Sequence, residues 1–236
     1  FGGGAGGAVS ADVSVRGRPV DGLTVVASAA VGATSARIEG TAKTPVAAPA
    51  TFGGRVKLAT PDATALGALL GRPALAFERR LPVDLTALLT ATGAKLSFGE
   101  LTGHVGETAL RGGGRVDLGA KPAKVDAGFE LDRLDLEAAA EMLVGGAIAA
   151  DGTDPTRLWA TTPLLGPPFD AAAAGTVTLS VDRAAIEDVG FDRLRLRLDA
   201  EPGTVRISAI DAGFAGAQLA GEATLAGGGD GVTTLS

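Results

Sequence analysis

The stretch Phe191–Leu225, FDRLRLRLDAEPGTVRISAIDAGFAGAQLAGEATL, decides the fold. Leu194, Leu196 and Leu198 alternate with Arg193, Arg195 and Arg197. A strand with that period-two pattern has one aliphatic and one charged face, the requirement of a half-buried strand. Pro202 and Gly203 supply a turn, and Val205, Ile207 and Ala209 resume the alternation. Gly216 and Gly221 then bracket Leu219 before Ala223 and Leu225 close a further strand. The unit is a meander of short antiparallel strands.

Lys95–Leu118, KLSFGELTGHVGETALRGGGRVDL, repeats the unit. Leu96 and Phe98 take the places of Ile207 and Ala209, and Leu101 that of Ala212. Gly106, Leu110 and Gly112 stand for Gly216, Leu219 and Gly221. A looser third copy runs from Leu23 to Gly40, with Gly32, Ile38 and Gly40 in the equivalent places. Stacked strand units extend a continuous sheet instead of closing a compact globule. The expected fold is mainly β: repeated antiparallel strand meanders forming a long, curved, groove-like sheet with two short helices.

Composition agrees with a folded chain of unusual texture. Hydrophobic residues make up 46% of the 236 positions, enough for a continuous apolar layer, yet aromatic residues are only 4% and tyrosine is absent. Large aromatic anchors of the kind that dominate recognition interfaces are therefore scarce. The 36 glycines have no collagen period and fall mainly between alternating runs, where they read as turns and sheet bends. A net charge of -6 gives no electrostatic reason to approach nucleic acid. Arg193, Arg195 and Arg197 are flanked by Asp192 and Asp199 and read as a solvated strand face. The lack of cysteine excludes disulfides, thiolate metal sites and cysteine nucleophiles.

Strands are expected at Ala8–Val15, Leu23–Val31 and Gly32–Lys43, with a loop or edge at Thr44–Thr51 and a strand at Arg55–Ala59. Thr60 as N-cap, Pro61 at the first helical position and Gly71 at the C-terminal cap predict a helix near 61–70. The next meander is expected at Leu81–Leu89, Ala94–Phe98, Leu101–Gly106, Thr108–Gly112 and Gly114–Leu118, followed by Val125–Leu131. A second helix is expected near 136–144, capped by Asp135 and stopped at Gly145. Thr176–Asp182 and Ala184–Val189 lead into the decisive stretch.

This reading divides the chain into a flexible Gly-rich end at 1–7 and a β-rich repeat segment over 8–150. A Pro/Gly-rich loop or linker follows at 151–170, then a β-rich repeat at 171–226 and a flexible tail at 227–236. No apolar run reaches the roughly 20 residues that span a bilayer, and the start at Phe1 is not a signal peptide. A targeting or anchoring segment is expected outside this stretch.

The inventory for catalysis is thin. His104 is the only histidine and sits at an ordinary strand position between Gly103 and Val105. Gly2, Gly4 and Gly7 satisfy G-x-G-x-x-G without the strand before or the helix after that a dinucleotide site needs. Gly112–Gly114 lacks the Lys and Ser or Thr of a phosphate loop. Asp151 and Asp154 lack the glycine and final Glu of a calcium loop, and Glu187 and Asp188 point to opposite strand faces. No catalytic residue, metal ligand or cofactor is expected.

The segments LSFGELTGHVGETALRGGGRVDL (Leu96–Leu118), FELDRLDLEAA (Phe129–Ala139) and Val177–Leu225, with Trp159 before an apolar, proline-containing run, resemble the AsmA-like family of Gram-negative envelope proteins. The resemblance covers about Ala76–Leu225 well and the first 75 residues loosely. It departs in a shortened Gly216–Gly221 turn and in few aromatic positions. The resemblance implies a groove-forming sheet standing in the periplasm behind an N-terminal inner-membrane anchor. It further implies a part in outer-membrane maintenance and, in larger relatives, bridges along which phospholipid moves; no catalytic residues belong to the family.

Chemically, an aliphatic sheet face must be covered or offered to something apolar. Moving an acyl chain through water costs about 0.8 kcal/mol per methylene, on the order of 12 kcal/mol for sixteen carbons. The expected partners are phospholipid acyl chains and inner- and outer-membrane or envelope proteins, with no nucleic acid. The candidate lipid-facing residues are Leu96, Phe98, Val177, Leu179, Val181, Leu194, Leu196, Leu198, Val205 and Ile207. The competing expectation is an interaction module that assists outer-membrane protein assembly, its face sealed by its own helices.

Overall fold

The computed structural model describes residues 9–63, 81–136, 173–186, 188–202, 204–227 and 233–235. They form one long, curved, open sheet of thirteen strands that neighbour one another in sequence order. The strands are β1 (Val9–Arg18), β2 (Gly22–Val31), β3 (Thr34–Lys43), β4 (Thr51–Thr60), β5 (Val83–Thr92), β6 (Lys95–Val105) and β7 (Thr108–Asp117). The second half comprises β8 (Ala123–Asp135), β9 (Ala173–Ile186), β10 (Val189–Glu201), β11 (Thr204–Phe214), β12 (Ala217–Gly227) and β13 (Thr233–Leu235). The mainly β, repeated-meander architecture follows from the alternation.

Several details differ from expectation. The β8–β9 junction is parallel, whereas every other junction is antiparallel. The connection over 137–172 is far longer than the dozen or so residues that a parallel crossover needs. Ala94–Phe98 and Leu101–Gly106 are not two strands but one, β6, because a bulge sets Gly99 and Glu100 against Gly113 alone. Glu100 takes φ 48° there, the left-handed region. Thr108–Gly112 and Gly114–Leu118 likewise join in β7, where Gly113 stays in register with Gly128. Thr176–Asp182 and Ala184–Ile186 join in β9, where Asp182 and Arg183 are both exposed between buried Val181 and Ala184.

The repeat is real, but its first half is aligned two residues away from where the sequence puts it. In β11–β12 a bulge between Ile207 and Ile210 matches the bulge between Phe98 and Leu101. Aligned on bulge and turn, Phe98 corresponds to Ile207, Leu101 to Ile210, Leu110 to Leu219 and Gly112 to Gly221, each 109 positions later. The preceding strands agree: Leu89↔Phe98 recurs as Leu198↔Ile207, and Thr92↔Lys95 as Glu201↔Thr204. The third copy is the β2–β3 hairpin, which carries no bulge.

The two expected helices fall outside the described residues except at their first positions. Thr60 Oγ1 accepts the Asp62 N–H at 3.3 Å and pairs with Thr34 Oγ1 at 2.8 Å, so its hydroxyl turns the chain as a cap would. Among the described residues, Leu136 alone has helical backbone. The ends 1–7 and the linker 151–170 also lie outside the described residues. The tail expected to be flexible contains β13, paired with Leu225–Gly227.

Where β8 leaves its ladder with β7, Asp132 Oδ1 accepts the Ala109 N–H at 2.7 Å. Desolvation raises the Asp132 pKa, but that hydrogen bond and the Arg133 guanidinium prevail and hold the carboxyl below its ordinary value. A lowered folded-state pKa gives stability that is present above the unfolded value and lost as pH falls through the folded one. Urea midpoints are therefore expected to drop for the wild type as pH is taken below about 3.8. Asp132→Asn is expected to be less stable at neutral pH and to show a flatter acid dependence. Parallel pH profiles of the two proteins would count against the role of Asp132.

Candidate functional site: the apolar face of the sheet

Cross-strand register stacks the alternating residues into rows that run perpendicular to the strands. One row is Val15–Val25–Gly40–Gly54–Leu89–Phe98–Gly114–Ala127–Val177–Leu198–Ile207–Ala223, an unbroken line of apolar partners across twelve strands. Beside it runs Leu23–Ala42–Phe52–Ala91–Leu96–Val116–Val125–Gly175–Ala200–Val205. On the other side lie Leu101–Gly112–Phe129–Leu179–Leu196–Ile210 and then Ala36–Leu58–Leu85–Gly103–Leu110–Leu131–Val181–Leu194. At about 4.8 Å between neighbouring strands, the first row spans about 50 Å.

The opposite face is largely polar, with Val26 and Leu88 among its few aliphatic members in the row Ser14–Val26–Glu39–Arg55–Leu88–Gly99. Between the first two apolar rows, but on the other side, lies Arg16–Thr24–Thr41–Gly53–Thr90–Ser97–Arg115–Asp126–Thr176–Asp199–Arg206–Thr224. Directly opposed residues pair there, with Arg111–Glu130 at 2.5 Å and Arg115–Asp126 at 3.2 Å. Their side chains are well exposed, so these pairs add little stability and mainly fix register. His104 is an exposed member of this face, in register with Asp84 and Ala109. A depression of about 570 Å³ has a floor at Gly99, Gly113 and Gly128, where side chains are missing. Among the described residues no group of three or more His, Asp or Glu could hold a metal ion.

All ten residues proposed from the sequence to face lipid lie on the apolar face. Leu96, Phe98, Val177, Leu179, Leu196, Leu198 and Ile207 are half-buried, whereas Val181, Leu194 and Val205 are buried. Burial concentrates in a cluster of Val181, Ala184, Leu194 and Ala212, at 2–5% exposure. Leu131, Leu134, Phe191 and Ile210 pack against it, and Phe191 meets Phe214 in a tilted ring contact with centroids 5.5 Å apart. Elsewhere the substantial strand contacts are all between sheet neighbours, so no second layer covers the face among the described residues.

The sequence reading missed the first half of the face. Phe52, Val56 and Leu58 alternate with Arg55 and Lys57 as clearly as Leu194–Leu198 do with their arginines. The middle of the face is levelled by phenylalanines laid over glycines. A methyl at Gly40 or Gly54 would come within 2.8 Å of Phe52 Cζ, one at Gly112 within 2.8 Å of Phe129 Cδ1, and one at Gly114 within 2.8 Å of Phe98 Cζ. Phe98 and Phe129 stack with centroids 6.3 Å apart. Few aromatics suffice because each covers bare backbone on an adjoining strand.

No family model, curated protein or solved structure matches the chain.

The glycine–phenylalanine fit is open to a direct stability test. Gly114→Val sets its Cβ 2.8 Å from both Phe98 Cζ and Ala127 Cβ and is expected to cost about 1–3 kcal/mol in urea unfolding. Gly53→Ala meets nothing within 4 Å and is expected to stay within about 0.5 kcal/mol of wild type. Equal effects from both would remove the packing explanation.

Proposed function

We propose that this chain is a non-enzymatic segment of an AsmA-like envelope protein that shields phospholipid acyl chains along its apolar face. The observation that supports this most is the row of apolar cross-strand partners, unbroken over twelve strands and uncovered by a second layer among the described residues. Such a row offers an acyl chain apolar contact at each strand it crosses. Removing methylenes from water stabilises them by about 0.8 kcal/mol each. Ala, Val, Leu and ring-covered glycine make a smooth wall of low selectivity, suited to chains that must slide and not lodge. Paired charges on the reverse face keep that side in water.

On this reading the chain stands in the periplasm, anchored to the inner membrane through sequence beyond this stretch. There it supports outer-membrane lipid homeostasis or assembly together with inner- and outer-membrane or envelope proteins. The second reading, an interaction module that assists outer-membrane protein assembly without lipid, draws support from the sealed cluster around Val181 and Leu194.

Site-specific photo-crosslinking in Gram-negative cells separates the two. A crosslinker at Leu96, Leu196 or Leu198 is expected to capture phospholipid, and one at Thr178 or Arg206 on the polar face is not. Lipid extraction of the purified native chain is expected to return phospholipid. Empty extracts together with crosslinks only to protein at Leu96 and Leu196 would favour the interaction module.

A further inference from the structure

Turns and strand ends on one rim of the sheet form a continuous platform. The β1–β2 turn, the β3–β4 loop, the β5–β6 turn and the β7–β8 loop all lie there, because antiparallel neighbours return to the same side. Backbone hydrogen bonds tie them in succession: Thr44 N–H to Pro19 O at 3.0 Å, Gly93 N–H to Ala50 O at 3.0 Å, and Leu118 N–H to Ala94 O at 2.9 Å. A platform tied in this way presents its side chains at fixed spacing.

Four of the five lysines in the sequence stand on this rim: Lys43, Lys95, Lys121 and Lys124. All four are exposed, and none makes an ion pair among the described residues. Lys43, Lys95 and Lys124 belong to a single outermost cross-strand row, through Thr51, Thr92 and Asp117. Three and then two strand spacings separate them, about 14 Å and about 10 Å. Arg18 ends β1 on the same rim. Among the described residues the carboxylates there are Asp21, Asp117 and Glu201, and Asp117 Oδ1 is engaged by the Gly119 N–H at 2.9 Å. A cationic row on a chain of net charge -6 is a local feature and not a reflection of composition.

Between the cations the loops project uncharged apolar residues outward. Val46 is 97% exposed, Val20 58% and Leu118 59%, and the loop around Val46 runs Thr-Pro-Val-Ala-Ala-Pro-Ala with no charge. Lysines on flexible stems beside projecting aliphatic side chains match the two layers of a lipid interface, phosphates outside and hydrocarbon within. An acidic protein surface would match the lysines but give Val46 and Leu118 no place.

We propose that this rim docks on an anionic lipid surface, with Lys43, Lys95, Lys121 and Lys124 on headgroup phosphates and Val20, Val46 and Leu118 entering the interface. The proposal does not require acyl chains on the sheet face, but it would set one end of every apolar row's strands against the membrane.

Flotation of the full chain with vesicles tests it. Binding is expected to vesicles of phosphatidylglycerol mixed into phosphatidylcholine, to be released by salt, and to be absent with phosphatidylcholine alone. Each lysine near an anionic surface contributes about a fivefold factor in affinity. Changing all four lysines to glutamine is therefore expected to weaken binding on the order of a hundredfold or more, with an unchanged melting midpoint. Lys57→Gln, at the fifth lysine on the polar face beside Asp84, is expected to bind as wild type. Val46→Asp is expected to weaken binding severalfold by itself, which keeps the test decisive should the fourfold variant misfold. The proposal is overturned by equal binding of the fourfold and Lys57→Gln variants, by charge-independent binding, or by no vesicle binding. Retention on polyglutamate without vesicle binding would point instead to an acidic protein partner. Crosslinking at Leu96 and Leu196 reads out a different surface, so failure of one test leaves the other standing.

Discussion

Register is the constraint on which the rest of this sheet depends. A slip of one residue at any junction would carry that strand's leucines and valines to the face of Arg115, Asp126 and Thr176. In a packed globule a second layer would resist such a slip; here, among the described residues, the strand neighbours themselves must do so. Hence the opposed ion pairs Arg111–Glu130 and Arg115–Asp126 matter more for alignment than for energy, and the Phe98 ring over Gly114 acts as a peg on the other face. Neither is strong alone. Repeated across the sheet, they leave one alignment in which both faces agree.

The same logic explains what was legible in the sequence. Strand existence and facing were readable wherever two-residue alternation ran without interruption, as in Leu194–Leu198 or Val125–Leu131. Strand length was not, because each bulge replaces a spacing of two with a spacing of three. Phe98 to Leu101 and Ile207 to Ile210 are such steps, and Val181 to Ala184 is a similar one. A period-two reading ends the strand at Phe98 and at Asp182, and at Ile207 it runs on to Ala209, which pairs with Arg197. The misaligned repeat has the same origin, since a bulge preserves the pairing while shifting the pattern that a reader counts. The parallel β8–β9 junction had no local signature, as it depends on where a long connection returns the chain.

The lipid-facing candidates were found by alternation and lie on one face, yet they differ in what they can touch. Val181 and Leu194 are closed in by Leu131, Leu134 and Phe191, whereas Leu96, Leu196 and Leu198 keep part of their surface. The rim lysines escaped notice because they are far apart in the chain. Lys43 and Lys124 come onto one platform only through the intervening hairpins, and no spacing rule in the sequence announces that.

The parallel junction gives the sheet a sense of direction. The copies β5–β6–β7 and β10–β11–β12 lie five strands apart, an odd displacement that would turn the second copy upside down in a pure meander. One junction of opposite sense turns it back, so the copies are related by translation and not by a two-fold axis. Equivalent turns therefore open on the same side along the whole width, like teeth cut on one edge of a comb. A sheet assembled so is a polar ribbon, and it can present one edge with a chemistry that the other edge does not share.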